Sequence, residues 1–125
     1  MLDTHALLWW LIDSPRLSRA ARRSISDQDR RVLVSAASAW EIATKFRLGK
    51  LPEARVLMDD FETILRRERF EGLPIAIGHA RVAGALPGPH RDPFDRMLIA
   101  QAQVENLVLV SNEQVFDHYG AERIW

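Results

Sequence analysis

A chain of 125 residues with 47% apolar content is sized for one globular domain, residues 1–125, with an ordinary hydrophobic core. Lys plus Arg and Asp plus Glu are both 17, so the formal net charge is zero and no global field favours nucleic acid. Any RNA contact then rests on local arginine clusters, and the absence of cysteine removes disulfide scaffolds, cysteine-bound zinc and thiol nucleophiles.

Residues 1–3 read as the stub of a first strand. Residues 6–12 form the longest apolar run, apolar on every side, and so a largely buried helix. The run is far short of the roughly 20 residues of a membrane span. It also lacks the basic segment that precedes a signal-peptide core. A soluble, cytoplasmic protein with no membrane partner is expected. Ser14-Pro15 has the form of an N-cap followed by proline at the first helical position, opening a helix to about Ser26. Residues 31–35 (RVLVS) are short, apolar and β-branched, hence a strand. Residues 35–48 follow as a helix with Gly49 just past its end.

Residues 53–70 read as one longer amphipathic helix, 73–77 as a strand, and 79–86 as a short helix stopped by Pro87 and Gly88. Asp92-Pro93 opens a helix to about Glu105. Residues 107–110 (LVLV) give a strand, 113–119 a short helix and 123–125 a last strand stub. No repeat, linker or low-complexity stretch interrupts this alternation. Strands alternating with helices predict an α/β fold, a central parallel sheet of four or five strands with helices on both faces. Such sheets place ligands beyond the carboxyl ends of their strands.

Acids recur where strands run out into helices: Asp3, Glu41, Asp95 and Glu113. Each has an ordinary explanation. Asp3 caps the helix that follows it. Asp92 and Asp95 stand at the N-cap and third positions of a Pro-initiated helix, where the dipole favours both, and Asp92 is held mainly as a cap. Glu41 pairs with Lys45 at i,i+4 on a solvent face, and Glu113 meets a helix start. Against this, Glu41 lies among Ala37, Trp40, Ile42 and Phe46, and Asp95 precedes Met97, Leu98, Ile99 and Ala100, so both have apolar surroundings in which a carboxylate needs compensation. Four separate junctions each supplying an acid suggest convergence. Converging carboxylates suit a hard divalent cation, Mg²⁺ or Mn²⁺, and a metal-dependent phosphodiesterase.

Other constellations are weaker. His5, His79, His90 and His118 are scattered without zinc spacing. Ser35 and Ser38 lack a nucleophile elbow, and no P-loop or GxGxxG is present. Trp9 and Trp10 suit a core or a partner interface. Arg91 and Arg96 flank the acid-rich junction, within reach of phosphate oxygens or simply solvated.

The segments MLDTHALLWWL, VSAASAWEIATKFRLGKL, HRDPFDRMLIAQAQ and LVLVSNEQVFDHYG resemble the PIN domain, in the branch of VapC-type toxins of bacterial type II toxin–antitoxin pairs. The resemblance runs over nearly the whole chain in order. It implies a PIN-like fold, a Mg²⁺- or Mn²⁺-dependent endoribonuclease acting on RNA, a cognate VapB-like antitoxin and a homodimer. It carries over Asp3, Glu41 and Asp95 as catalytic metal ligands and Asp92 as a supporting acid. The family's fourth acid is usually Asp after Thr-x; here Ser111-Asn112-Glu113 stands in its place, with the charge on a longer arm. The start is short for a central strand, so that strand is expected to be frayed or to begin upstream. The antitoxin would take an apolar groove on the first helices, with Leu7, Leu8, Trp10 and Leu11, and on the helix of residues 53–70. The rival readings are a non-catalytic protein-binding module, with the acids as caps, and a metal-dependent phosphatase.

Overall fold

The computed structural model describes residues 1–125, except for the side chains of Glu53 and Val56. Val32–Ser35 (β1) pairs in parallel with Phe70–Leu73 (β2), Val32 opposite Phe70 and Ser35 opposite Leu73. Leu109–Val110 (β3) pairs in parallel with Arg123–Ile124 (β4). Leu2 bridges the two ladders, to Val34 on one side and Val110 on the other. The spatial order is therefore β2, β1, residues 1–3, β3, β4, all parallel. The short first strand is not frayed. Leu2 N donates to Leu33 O (2.9 Å), Asp3 N to Val110 O (3.1 Å) and Val110 N to Met1 O (2.8 Å). Chain order reverses at this strand, which makes its carboxyl end the switch point where open α/β sheets bind ligands.

Alternation along the strands sends side chains to two cores. Leu2, Val32, Val34, Phe70 and Val110 join Ala6, Leu7, Ala21, Ile25, Leu57 and Ile64, from Thr4–Leu11 (α1), Arg19–Ser26 (α2), Arg55–Asp59 (α4) and Phe61–Arg67 (α5). Met1 and Leu109 join Leu98, Ile99, Ala102 and Phe116 on the other face, from Pro93–Val104 (α7) and the 3₁₀ helix Gln114–Tyr119. Ala36–Arg47 (α3) gives Ala37 to one core and Ile42 to the other, and Ile77–Ala85 (α6) packs against α7. The expected α/β fold, with a parallel sheet covered on both faces, is the one observed.

Several boundaries differ from the sequence expectation. Ser14-Pro15 makes a turn, and α2 starts later with Ser18 as its cap, accepting from Ala21 N at 3.0 Å. Residues 53–70 are not one helix. A 3₁₀ turn Pro52–Ala54 leads into α4, which stops at Asp60 (φ −160°, ψ 69°), and Asp60 then caps α5 through Thr63 N. An acid able to bond its own downstream amides competes with helix continuation. Arg69 takes φ +61° and turns the chain into β2, so the strand precedes Pro74 instead of following Leu73. The 107–110 strand is limited to Leu109–Val110, and residues 114–119 wind as 3₁₀. Gly49 does end α3: at φ +70° its amide bonds Phe46 O (2.9 Å) and that of Lys50 bonds Lys45 O (2.9 Å), a Schellman pair.

Candidate active site

Asp3 ends the switch strand and caps α1, Oδ1 accepting from Ala6 N at 2.6 Å. The residue is only 3% exposed, and Oδ2 is buried with no hydrogen-bond partner. Burial pushes its pKa up and the nearby Glu113 charge adds to this, while the Ser111 hydroxyl, the Ala6 amide and His5 pull it back. Capping and an available ligand oxygen therefore coexist in one carboxylate.

Glu41 leaves α3 one and a half turns after β1 and is 4% exposed. Lys45 Nζ donates to Oε1 at 2.5 Å and Thr4 Oγ1 to Oε2 at 2.6 Å, with the Ser38 hydroxyl 3.1 Å from that of Thr4. The i,i+4 pair read from the sequence exists, but on a buried carboxylate, not on a solvent face. Asp95, in the first turn of α7, bonds His90 Nε2 through Oδ2 at 2.8 Å. Burial raises its pKa to about 6; Asp92 and Glu41 add to the rise and His90 opposes it. Asp92 is the cap expected of it, accepting from Phe94 N (2.8 Å) and Asp95 N (3.2 Å).

These acids meet. Asp3, Glu41, Asp92, Asp95 and Glu113, with Thr4, His5 and Lys45, line one cleft of about 180 Å³ at the carboxyl edge of the sheet. Among the described residues, however, no three His, Asp or Glu side chains are gathered closely enough to form a ready metal cage. Like charges in one partly buried cleft separate and take what counter-groups they can. Glu41 holds a lysine, Asp95 an imidazole and Asp3 a helix N-terminus. A hard, all-oxygen donor set with one buried oxygen unsatisfied fits a divalent cation chemically.

Residues 1–122 match the PIN domain family model. The chain belongs to the PIN domain family. Two curated relatives come from Mycobacterium tuberculosis. Ribonuclease VapC22 is 28% identical over 116 residues, spanning 91% of this chain and 86% of that protein. Ribonuclease VapC16 is 39% identical over 77 residues, spanning 55% of this chain and 50% of that protein. The VapC-type resemblance read from the four sequence segments is borne out by these matches.

Three side chains of this PIN domain cleft escape a reading by residue type. Thr4 is buried, and its role is visible only as its bond to Glu41, 37 positions away. Ser38 lies one helical turn before Glu41, an i,i+3 spacing that was available as a signal. His90, dismissed among scattered histidines, stands five residues before Asp95 and bonds it. Arg96 is not free for phosphate: its guanidinium donates to Ala83 O (3.0 Å), His90 O (3.0 Å) and Leu86 O (2.6 Å), clamping the loop that carries His90. Arg91 is exposed.

Proposed function

We propose that this chain is a Mg²⁺- or Mn²⁺-dependent endoribonuclease of the VapC type, the toxin of a toxin–antitoxin pair held inactive by a VapB-like antitoxin. The observation that carries the reading is the cleft: acids from separate strand–helix junctions share one mouth at the switch point, and Asp3 Oδ2 is buried there without a partner. The names of both relatives point to RNA as the polymer cut.

Asp3, Glu41 and Asp95 would hold the cation. When bound, it would activate water for attack on a phosphodiester and offset charge building on the phosphate. The protein's own groups keep the ligands aimed. Thr4 and Lys45 fix Glu41, His90 fixes Asp95, and Asp92 pins the first turn of α7 by its two amide bonds. Glu113, partly buried at the rim, would contribute negative field that raises cation occupancy; a direct ligand role is not required of it.

An apolar groove of about 480 Å³ between α1 and the α4–α5 pair supports the antitoxin part of the reading. It is lined by Leu8, Trp9, Leu11, Leu57 and Ile64, with Arg16 and Arg67 at its edge. An amphipathic segment with an apolar face and acidic flanks suits it. Leu7 is fully buried core, and Trp10 donates to Glu68 at 3.0 Å, so neither serves the groove. A homodimer working in the cytoplasm completes the proposal; among the described residues no helix is long and apolar enough to cross a membrane.

The decisive test is Asp3→Asn, purified free of metal and assayed on structured and unstructured RNA and on small phosphoesters with added Mn²⁺. RNA cleavage is expected to vanish while circular dichroism stays that of the parent. Full activity in the variant would overturn the assignment.

A further inference from the structure

Beside the acid cleft lies a second concavity, of about 520 Å³, lined by Pro87, Gly88, Pro89, His90, Val115, His118 and Tyr119. No residue lines both, but one hydrogen bond joins a residue of each. The imidazole of His90 bonds Asp95 Oδ2 at 2.8 Å on the acid side. On the other side its ring stands 6.4 Å from that of Tyr119, tilted by 56°. The volume falls within the roughly 300–1,000 Å³ of small-molecule sites. Its lining differs in kind from that of its neighbour. No carboxylate borders it, whereas five border the acid cleft. It offers flat apolar surface from two prolines, a valine and a phenol ring, and hydrogen-bonding edges from two imidazoles. Tyr119 Oη is buried against Gly88 and bonds nothing, so the phenol can offer the cavity its ring and not its hydroxyl.

The loop forming one wall is held in place. Gly88 has φ +90°, and a Cβ there would lie 3.0 Å from Tyr119 Oη, so only glycine lets the loop close on the phenol. Arg96 ties down Leu86 O and His90 O from below. A rigid uncharged cavity one imidazole away from paired carboxylates is suited to the flat, neutral part of a substrate whose charged part lies in the acid cleft.

We propose that this cavity is a nucleobase subsite, taking the base next to the scissile phosphate against His90 and Tyr119, with His118 reading its edge. The inference rests on the nuclease reading and deepens it, because it places the protein's base preference in the 87–90 loop and the 115–119 turn. Stacking on an aromatic wall tolerates every base, so sequence preference at this position comes from His118.

The test compares two labelled single-stranded oligomers of equal length and charge, a mixed-sequence RNA and its abasic ribose-phosphate counterpart. Anisotropy is measured in Ca²⁺, with cleavage in Mn²⁺ run alongside. The parent is expected to bind the RNA about tenfold more tightly than the abasic chain, the scale of one base–aromatic stack. Val115→Trp, which puts an indole into the cavity, is expected to bring that ratio close to one. His118→Ala, at an exposed position, is expected to narrow it severalfold and alter which sequences are cut. A ratio near one in the parent, or unaffected by both variants, overturns the subsite and leaves the cavity to another ligand, while cleavage by the parent would still uphold the nuclease. A parent that binds but never cleaves overturns the nuclease reading and, with it, the scissile-phosphate placement.

Discussion

Asp95→Asn separates the electrostatic account of the cleft from a merely structural one. In the metal-free protein the Asp95 pKa stands at about 6 against 3.8 in a reference chain. At 1.36 kcal/mol per unit this amounts to about 3 kcal/mol, applied without a surface discount because the side chain is only 24% exposed. The sign follows from linkage. The native state holds the proton more tightly than the unfolded chain, so the extra stability is full below pH 3.8 and is lost as pH rises through about 6. Asparagine mimics the protonated acid in shape and charge. In EDTA the variant and parent should unfold at similar urea concentrations near pH 4. At pH 7 the variant should be the more stable, by up to about 3 kcal/mol. Saturating Mn²⁺ should reverse that order, because the cation stabilises only the form with a full ligand set. Urea melts at pH 4 and 7, with EDTA and with Mn²⁺, read all four values. A variant less stable than the parent at pH 7 in EDTA, or with the same pH slope, would refute the argument that burial strains this carboxylate.

Thr4→Val keeps the shape at position 4 but removes the donor that holds Glu41 Oε2 at 2.6 Å; a loss of about 1–3 kcal/mol is expected in urea melts at neutral pH. Lys45→Met leaves the buried Glu41 carboxylate uncompensated. With the lysine 34% exposed, the loss should be about 2 kcal/mol, below the 3–5 of a fully buried pair. The same variant should gain more stability from Mn²⁺ than the parent does, as read by the shift in melting temperature. Gly49→Ala forces a side chain onto φ +70° and should lower stability by about 1 kcal/mol, with the metal response unchanged.

The sequence carried the sheet and most helices because those rest on local signals. The apolar β-branched run at residues 32–34 and the Asp92-Pro93 start each leave one conformation open. It misplaced elements where two local signals compete. Asp60 reads as a polar residue on the outer face of a long helix, yet its carboxylate bonds Thr63 N and restarts the helix there. Ser14-Pro15 satisfies the rule for a helix start, but Ser18 offers the same cap four residues later, and Leu17 gains burial in the turn between them. The first strand was the hardest case. Residues 1–3 read as a strand stub too short to be expected intact, and it is β1 and β3 bonding it on both sides that hold it in the sheet.

At the site, each acid's position along the chain was legible and its environment was not. Residue type shows a carboxylate at a helix start; it does not show that one oxygen caps the helix while the other is buried without a partner, as in Asp3. The counter-groups were hidden for a related reason, since Thr4 and Glu41 are joined only by the fold. Those counter-groups also explain why no closed cage forms among the described residues. Lys45 and His90 occupy the lone pairs that a cation would take, so binding has to displace or share them. In the proposed nuclease such an exchange would make occupancy depend on ion concentration, the Lys45 ammonium and His90 imidazole competing with the cation for the same carboxylate oxygens. A site built this way would not need a metal in order to fold, since two apolar cores lie to either side of the sheet. Its proposed activity would then follow the metal supply, while its fold would not.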